Sequence, residues 1–368
     1  MRAPGHALVV GAGLAGAGVA WRLVQDGWRV TLIEAQSRPA AGASALPFGL
    51  LAPSPPRHAS PSSPAMQWLH LAQPVAEQRL QQLLPHGQGW QRMPLRDRRI
   101  PAAASACVVS PQRWVQAYVR QAAATGRLTL HMGEAVQSAS QAAEQATWCL
   151  VGEHGSHWHG DVVIWANAMA AAQHVPTLAG ALLPVVGQLS VGPCHPNTVP
   201  EVRRDDGVWV NGFDADGQGA RYSVGATYRR GHTEAVASEA DHQANRAKLE
   251  RLNPSALMDF DQAHATRTLT PWVGVRCTTA QRLPMVGTLA SHVRPARHRV
   301  SLGNLPRMTH ALALLALGSR GLTSHALAAD MIAAHLGARP SPVPLTVARA
   351  LDPGRAWLKQ LRSGATVV

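Results

Sequence analysis

Three glycines and one acid near the start of the chain have the types and spacing of a dinucleotide site. They are Gly11, Gly13, Gly16 and Glu34, within HALVVGAGLAGAGVAWRLVQDGWRVTLIE at residues 6–34. In this pattern the first glycine permits the tight turn out of a strand. The second lets backbone approach a pyrophosphate, and the third lets the helix pack close to the sheet. Backbone N–H groups at the helix start, at Leu14 and Ala15, and the positive end of the helix dipole then face the phosphates. Glu34 suits both hydroxyls of an adenosine ribose and repels a 2′-phosphate, which argues against NADP. The motif alone leaves FAD and NAD open. A second glycine turn, Gly318-Ser319-Arg320-Gly321, follows the apolar run Ala311 to Leu317 and precedes a helix of small and apolar residues at about 322–336. Two helix N-termini suit one extended cofactor. One meets the pyrophosphate; the other, beside a flavin N1–C2=O, stabilises the negative charge of the reduced ring. This favours FAD.

The elements that position these residues follow from the pattern. Ala7 to Val10 and Val30 to Ile33 are short apolar runs on either side of a helical segment, a β-α-β unit. Residues 36–64 read as a long loop in which Gly42-Ala43-Ser44 lies against the cofactor phosphates. Helical spacing runs over 66–84, and Ser110-Pro111 opens a helix that reaches about Gly126. Leu128 to His131, Glu134 to Ser138 and Asp161 to Trp165 read as strands, the last leaving through Ala166-Asn167-Ala168. From 176 to 267 short strands (188–191, 208–211, 222–227) alternate with turns, and a charged helix spans about 238–252. We therefore expect an α/β protein: a Rossmann-like domain from residues 1–55, 101–175 and 268–368, interleaved with a smaller, mostly antiparallel α+β substrate domain from 56–100 and 176–267.

The 368 residues suffice for about two domains. The four cysteines show no metal or disulfide spacing, so a reducing cytoplasm is expected. No signal peptide is visible, and no stretch approaches the roughly 20 apolar residues of a membrane span. The net charge is +13, and Lys248 and Lys359 are the only lysines. Such a balance fits a polyanion partner, or a genome in which arginine is the default surface cation.

Four blocks are familiar: Gly11 to Glu34, Gly42-Ala43-Ser44, Gly274-Val275-Arg276 and Leu283-Pro284-Met285-Val286-Gly287. They resemble the D-amino-acid oxidase/glycine oxidase family of FAD enzymes, whose nucleotide-binding domain is of the glutathione reductase type. Within it, residues 224–249, 273–287, 316–336 and 351–364 resemble the FAD-dependent oxidoreductase domain of MnmC, the bifunctional tRNA wobble-uridine modification enzymes. The resemblance covers nearly the whole chain. It implies oxidation of the carboxymethylaminomethyl group on wobble uridine of tRNA to aminomethyl, with release of glyoxylate and O2 as the electron acceptor. The methyltransferase domain of those enzymes is not expected, since too few residues precede Gly11.

The resemblance also assigns residues. Arg276 and Arg320 match family positions that meet a substrate carboxylate, a task suited to a bidentate guanidinium. Tyr228 is placed to face the substrate or to pack at an interface. Gly318, Gly321 and Leu322 offer N–H groups to the flavin ring, Ala43 and Ser44 lie at the phosphate or ribityl, and the Val136 backbone recognises adenine. Cys277 raises the question of a covalent flavin; members like glycine oxidase hold FAD noncovalently, and that is expected here. His154, His157 and His159 lack a completing ligand and read as a turn rather than a metal site. Arg229, Arg230, Arg294, Arg297, Arg299, Arg355, Lys359 and Arg362 are candidate tRNA contacts. A monomer is expected. The competing readings are a small-molecule amine oxidase and a flavin-binding tRNA-associated protein with little turnover.

Overall fold

Side chains alternate across a strand, and both faces of His6–Val10 are apolar. Ala7 and Val9 enter one buried cluster, Leu8 and Val10 another. Such a strand must be covered on both sides, as in parallel sheets. In the computed structural model it is central. Arg307–Leu315, Val162–Trp165, His6–Val10, Arg29–Glu34 and Leu128–Met132 lie side by side and parallel, and Met285–Ala290 pairs antiparallel at the outer edge. The structure describes residues 4–53, 60, 62–100, 104–142, 147–195, 197–215, 217, 219–293 and 300–363.

Helices Leu14–Gln25, Pro64–Leu83, Pro111–Ala123 and Gly321–Leu336 cover one face of this sheet. Two of them start as their sequences dictate. The hydroxyls of Ser63 and Ser110 accept from the N–H groups of Met66 and Arg113, with proline at the first helical position of each. The other face is covered by a three-stranded antiparallel sheet, Val136–Gln141, Trp148–Gly152 and His157–Gly160, through Trp148, Leu150 and Trp158.

The second large sheet is built on the strand Leu183–Pro193. Thr270–Thr278 pairs along one edge; Arg221–Gly225 and Arg229–Arg230 pair along the other. Val208–Phe213, Glu201–Arg204, Trp90–Arg96, Ser105–Val109 and Gly49–Leu51 extend it. Every pairing is antiparallel except Glu201–Arg204 with Trp90–Arg96. Helices Glu239–Leu252 and Leu257–Ala265 cover one face through Leu249, Phe260 and Ala263. A buried polar network fixes the first of them: Asn245 Nδ2 donates to the Gln188 carbonyl (3.1 Å), and Ser190 Oγ bonds His242 Nδ1 (2.7 Å).

The α/β architecture with a mostly antiparallel second sheet matches the sequence expectation. Two segments pack across the expected division of the chain. Pro64–Leu83 joins the helical layer of the parallel sheet, and Thr270–Thr278 is a strand of the antiparallel one. The basic C-terminal stretch carries two helices, Leu345–Leu351 and Gly354–Ser363. Trp357 is buried with Ala290 and Leu305, and Asp352 forms a two-bond ion pair with Arg307 (2.8 Å each). Among the described residues, no helix is long and apolar enough to cross a membrane.

Candidate active site

The first glycine turn leaves the carboxyl end of the central strand, where ligands of parallel sheets bind. Gly11 has φ +102°, and a Cβ there would meet the Ala166 carbonyl at 2.7 Å. A Cβ on Gly16 would run into the Gly11 carbonyl, so helix and turn touch backbone to backbone. Glu34 is pinned at the end of the next strand. Its two carboxylate oxygens accept from the N–H groups of Ala12 (2.7 Å) and Gln36 (3.0 Å). Each oxygen keeps a lone pair for a ribose hydroxyl. Ser44 Oγ accepts from Leu14 N–H (3.0 Å) and stands 3.1 Å from where a Gly13 Cβ would be. The Leu14 amide is therefore capped by Ser44, whose hydroxyl hydrogen remains free to donate. Ala15 and Gly16, in the first turn, have no carbonyl within the helix to bond. Beside Gly11, Asn167 Oδ1 is buried without a hydrogen-bond partner. Val136 is two residues beyond Glu134, whose N–H donates to the Glu34 carbonyl; His174 bonds to the Val136 backbone.

The second turn lies at the far end of this track. Gly318 has φ +55° and faces Thr278, the last residue of the Thr270–Thr278 strand. Gly321 and Leu322 form the first turn of the helix Gly321–Leu336, and Arg320 is exposed at its N-cap. The short turn Ala43–Ala45 also packs against the Thr270–Thr278 strand, so both glycine turns and Arg276 belong to one neighbourhood.

Arg276 is the most unusual side chain there. Its guanidinium lies over Gly187 of the paired strand and over the Tyr228 ring, 4.7 Å from the centroid. Nη1 is buried without an acceptor, and no carboxylate pairs with Arg276 among the described residues. Burial pushes its pKa down; the Tyr228 oxygen opposes this. Tyr228 itself is exposed. The neighbouring Cys277 points to the opposite face, into the cluster of Met285 and Leu315, and burial pushes its thiol up to about 12. His157 and His159 are exposed on one face of a strand. A cavity of about 560 Å³ lies among Arg22, Arg79, Asp330 and Arg339, towards the other end of the Leu14–Gln25 helix from Gly13.

The FAD-dependent oxidoreductase family model known as DAO matches residues 6–96 and 91–335. The chain belongs to this family. Its cofactor is FAD, and the glycine cradle, the pinned Glu34 and the orphaned Asn167 Oδ1 fit that group. The chain is 31% identical over 417 residues to the tRNA 5-methylaminomethyl-2-thiouridine biosynthesis bifunctional protein MnmC of Ralstonia nicotianae, covering 98% of this chain and 61% of that protein. The MnmC of Polaromonas naphthalenivorans is 29% identical, with 96% and 60% covered. This chain thus spans about 60% of the length of these relatives. Among solved structures, glycine oxidase from Geobacillus kaustophilus superposes with a TM-score of 0.67 at 18% identity, covering 96% of this chain and 99% of that one. Iminodiacetate oxidase from Chelativorans sp. gives 0.66 at 18% identity, covering 92% and 97%.

Within this FAD-dependent oxidoreductase, the sequence reading missed Gly187 as part of the site. Gly187 precedes the strand expected at 188–191; in the structure it lies inside the strand Leu183–Pro193, where a glycine marks close approach of another group. A Cβ there would collide with Arg276 Nη1 and would stand 2.6 Å from the Thr227 carbonyl. Of the candidate RNA contacts, Arg230, Lys359 and Arg362 are exposed. Arg229 pairs with Asp241 (3.3 Å), and Arg355 is half-buried with its pKa lowered by burial. Arg294, Arg297 and Arg299 lie outside the described residues.

Proposed function

We propose that this oxidoreductase acts on the carboxymethylaminomethyl group of wobble uridine in tRNA, converting it to aminomethyl and releasing glyoxylate. The observation that carries the reading is Arg276, a largely buried guanidinium with an unbonded, buried Nη1 and no acidic partner among the described residues. Such a group calls for a carboxylate, and its fork geometry matches one in two bonds. Similarity to MnmC proteins over nearly the whole of this chain, about 60% of their length, supports tRNA as the carrier of that carboxylate.

In this reading Gly11, Gly13, Ala15, Gly16, Glu34, Ala43 and Ser44 hold the adenosine diphosphate half of FAD, with Val136 at the adenine. Gly318, Gly321 and Leu322 hold the ring, noncovalently, since the Cys277 thiol is occluded and protonated. When bound, FAD supplies the two-electron acceptor for the amine's α-C–H bond. Arg276 anchors the carboxylate, Tyr228 orders the guanidinium from its other side, and Arg320 contributes a second cation at the turn. Holding the carboxylate fixes which α-carbon is presented. The amine loses two electrons and two protons at its C–N bond. Water then divides that bond into a primary amine on the tRNA and the aldehyde of glyoxylate.

Nucleoside mass spectrometry of tRNA incubated with the holoenzyme tests this. The expected result is loss of carboxymethylaminomethyluridine, gain of aminomethyluridine and equimolar glyoxylate. Unchanged tRNA together with H2O2 from glycine or sarcosine would replace the reading with a small-molecule amine oxidase.

A further inference from the structure

The chain has eleven tryptophans. Ten are buried in apolar clusters; Trp272 is only partly buried and belongs to none of them. Residues two apart on a strand share a face, so Trp272, Gly274 and Arg276 point the same way. Their partners in register are Leu189, Gly187 and Val185. Gly274 and Gly187 therefore oppose each other and leave a floor without side chains. The Arg276 guanidinium covers Gly187. The six-membered ring of Trp272 covers Gly274, with Cζ2 and Cζ3 at 2.8 Å and 3.0 Å from where a Cβ would stand. Directly opposite Cβ positions are about 5 Å apart, so the cation and the indole cover adjacent positions on one face of the sheet.

We infer that Trp272 is the platform on which the pyrimidine of the substrate stacks while Arg276 holds its carboxylate. In a carboxymethylaminomethyl arm four bonds separate the carboxylate carbon from the ring, a span comparable to that of about 5 Å. Gly187 and Gly274 add no side chain of their own beneath the cation and the indole. Stacking is read by any flat base and needs no hydrogen-bond code. Trp272 thus selects a base-bearing secondary amine over glycine or sarcosine, which fill the Arg276 end alone. This inference rests on the substrate reading above.

The test uses two inert probes with the same ether arm in place of the amine: 5-(carboxymethoxymethyl)uridine and methoxyacetate. Binding to the holoenzyme is followed by the change in flavin absorbance. The wild-type protein is expected to bind the nucleoside at least about tenfold more tightly than methoxyacetate. Trp272→Ala and the apolar but non-aromatic Trp272→Leu lose this preference with the methoxyacetate affinity unchanged, and Trp272→Phe keeps most of it. Equal affinities in the wild type, or a preference that survives in Trp272→Leu, overturn the platform. Turnover of tRNA is scored separately. A nucleoside preference without tRNA oxidation removes the substrate reading and leaves the platform; tRNA oxidation without the preference does the reverse.

Discussion

At the scale of single residues, Arg276 is arranged against the stability of the fold. A cation whose Nη1 is buried without an acceptor, and which has no carboxylate partner among the described residues, is poorly compensated, and burial already lowers its pKa. Natural cores rarely keep such a group without a use for it. We predict that Arg276→Ala lowers kcat/KM for the tRNA substrate by about a hundredfold or more, the loss of charge-assisted bonds of about 1.5–3 kcal/mol each. Its melting temperature should stay equal or rise, because the mutation removes the unpaired charge. Normal kinetics in this variant would end the assignment. Gly16 is decided by contact alone. A methyl group there would occupy the space of the Gly11 carbonyl, moving the helix start off the pyrophosphate. Gly16→Ala is expected to purify without bound flavin, shown by the loss of absorbance near the visible flavin band.

At the scale of elements, what was legible in the sequence was local. The β-α-β unit, the serine–proline helix starts and the helix at Gly321–Leu336 each carry their signal within a few residues. The strands Gly49–Leu51, Trp90–Arg96 and Ser105–Val109 do not. They are short or interrupted by Pro94, and they become strands by pairing with one another and, through Trp90–Arg96, with Glu201–Arg204. The C-terminal helices were hidden behind prolines at 340, 342 and 344. For the candidate site, the glycine motifs carry their signal in residue types and spacing, whereas Arg276 stands out only through the family resemblance. The floor of Gly187 could not be read in the sequence, because it exists only through the register with Gly274. The helix Gly321–Leu336 also carries His325, fully buried, with Nε2 3.0 Å from the Tyr118 hydroxyl and the ring edge-on to Trp114. Burial lowers its pKa from 6.5 to about 4. The unfolded chain therefore binds a proton that the folded chain does not, and stability falls as pH drops from 6.5 through 4. The loss is of order 3 kcal/mol, at 1.36 kcal/mol per pH unit. Urea midpoints measured at pH 7 and pH 5 should separate in the wild type and draw together in His325→Gln. An equal separation in both would place the acid sensitivity elsewhere.

At the scale of the whole molecule, the excess of 13 positive charges is not spread evenly over the arginines. Many are spent internally. Arg99 and Arg204 both bond Asp97 at 2.6 Å and hold its carboxyl far below the usual range; Arg22 and Arg79 share Asp330, and Arg246 pairs with Asp261. The cations left outward are those able to meet a polyanion, and Arg230 is the best placed. It is exposed two residues from Tyr228, on a strand paired with Val185 beside Gly187. If the carboxylate substrate is carried on tRNA, phosphate contacts release counterions, and log affinity falls linearly with log salt. The slope is about −0.7 to −0.9 per phosphate neutralised. We therefore expect the KM for tRNA to climb steeply between 50 and 200 mM KCl, a range in which six to ten contacts cost about 10³–10⁵ in affinity. Methoxyacetate, which meets only Arg276 and its neighbours, should change far less. Arg230→Glu should weaken tRNA at low salt, flatten that slope by about one contact or more, and leave methoxyacetate binding as it was. A tRNA slope no steeper than that of the small carboxylate would mean that the basic surface takes no part in binding, and the amine would then have to arrive without its RNA.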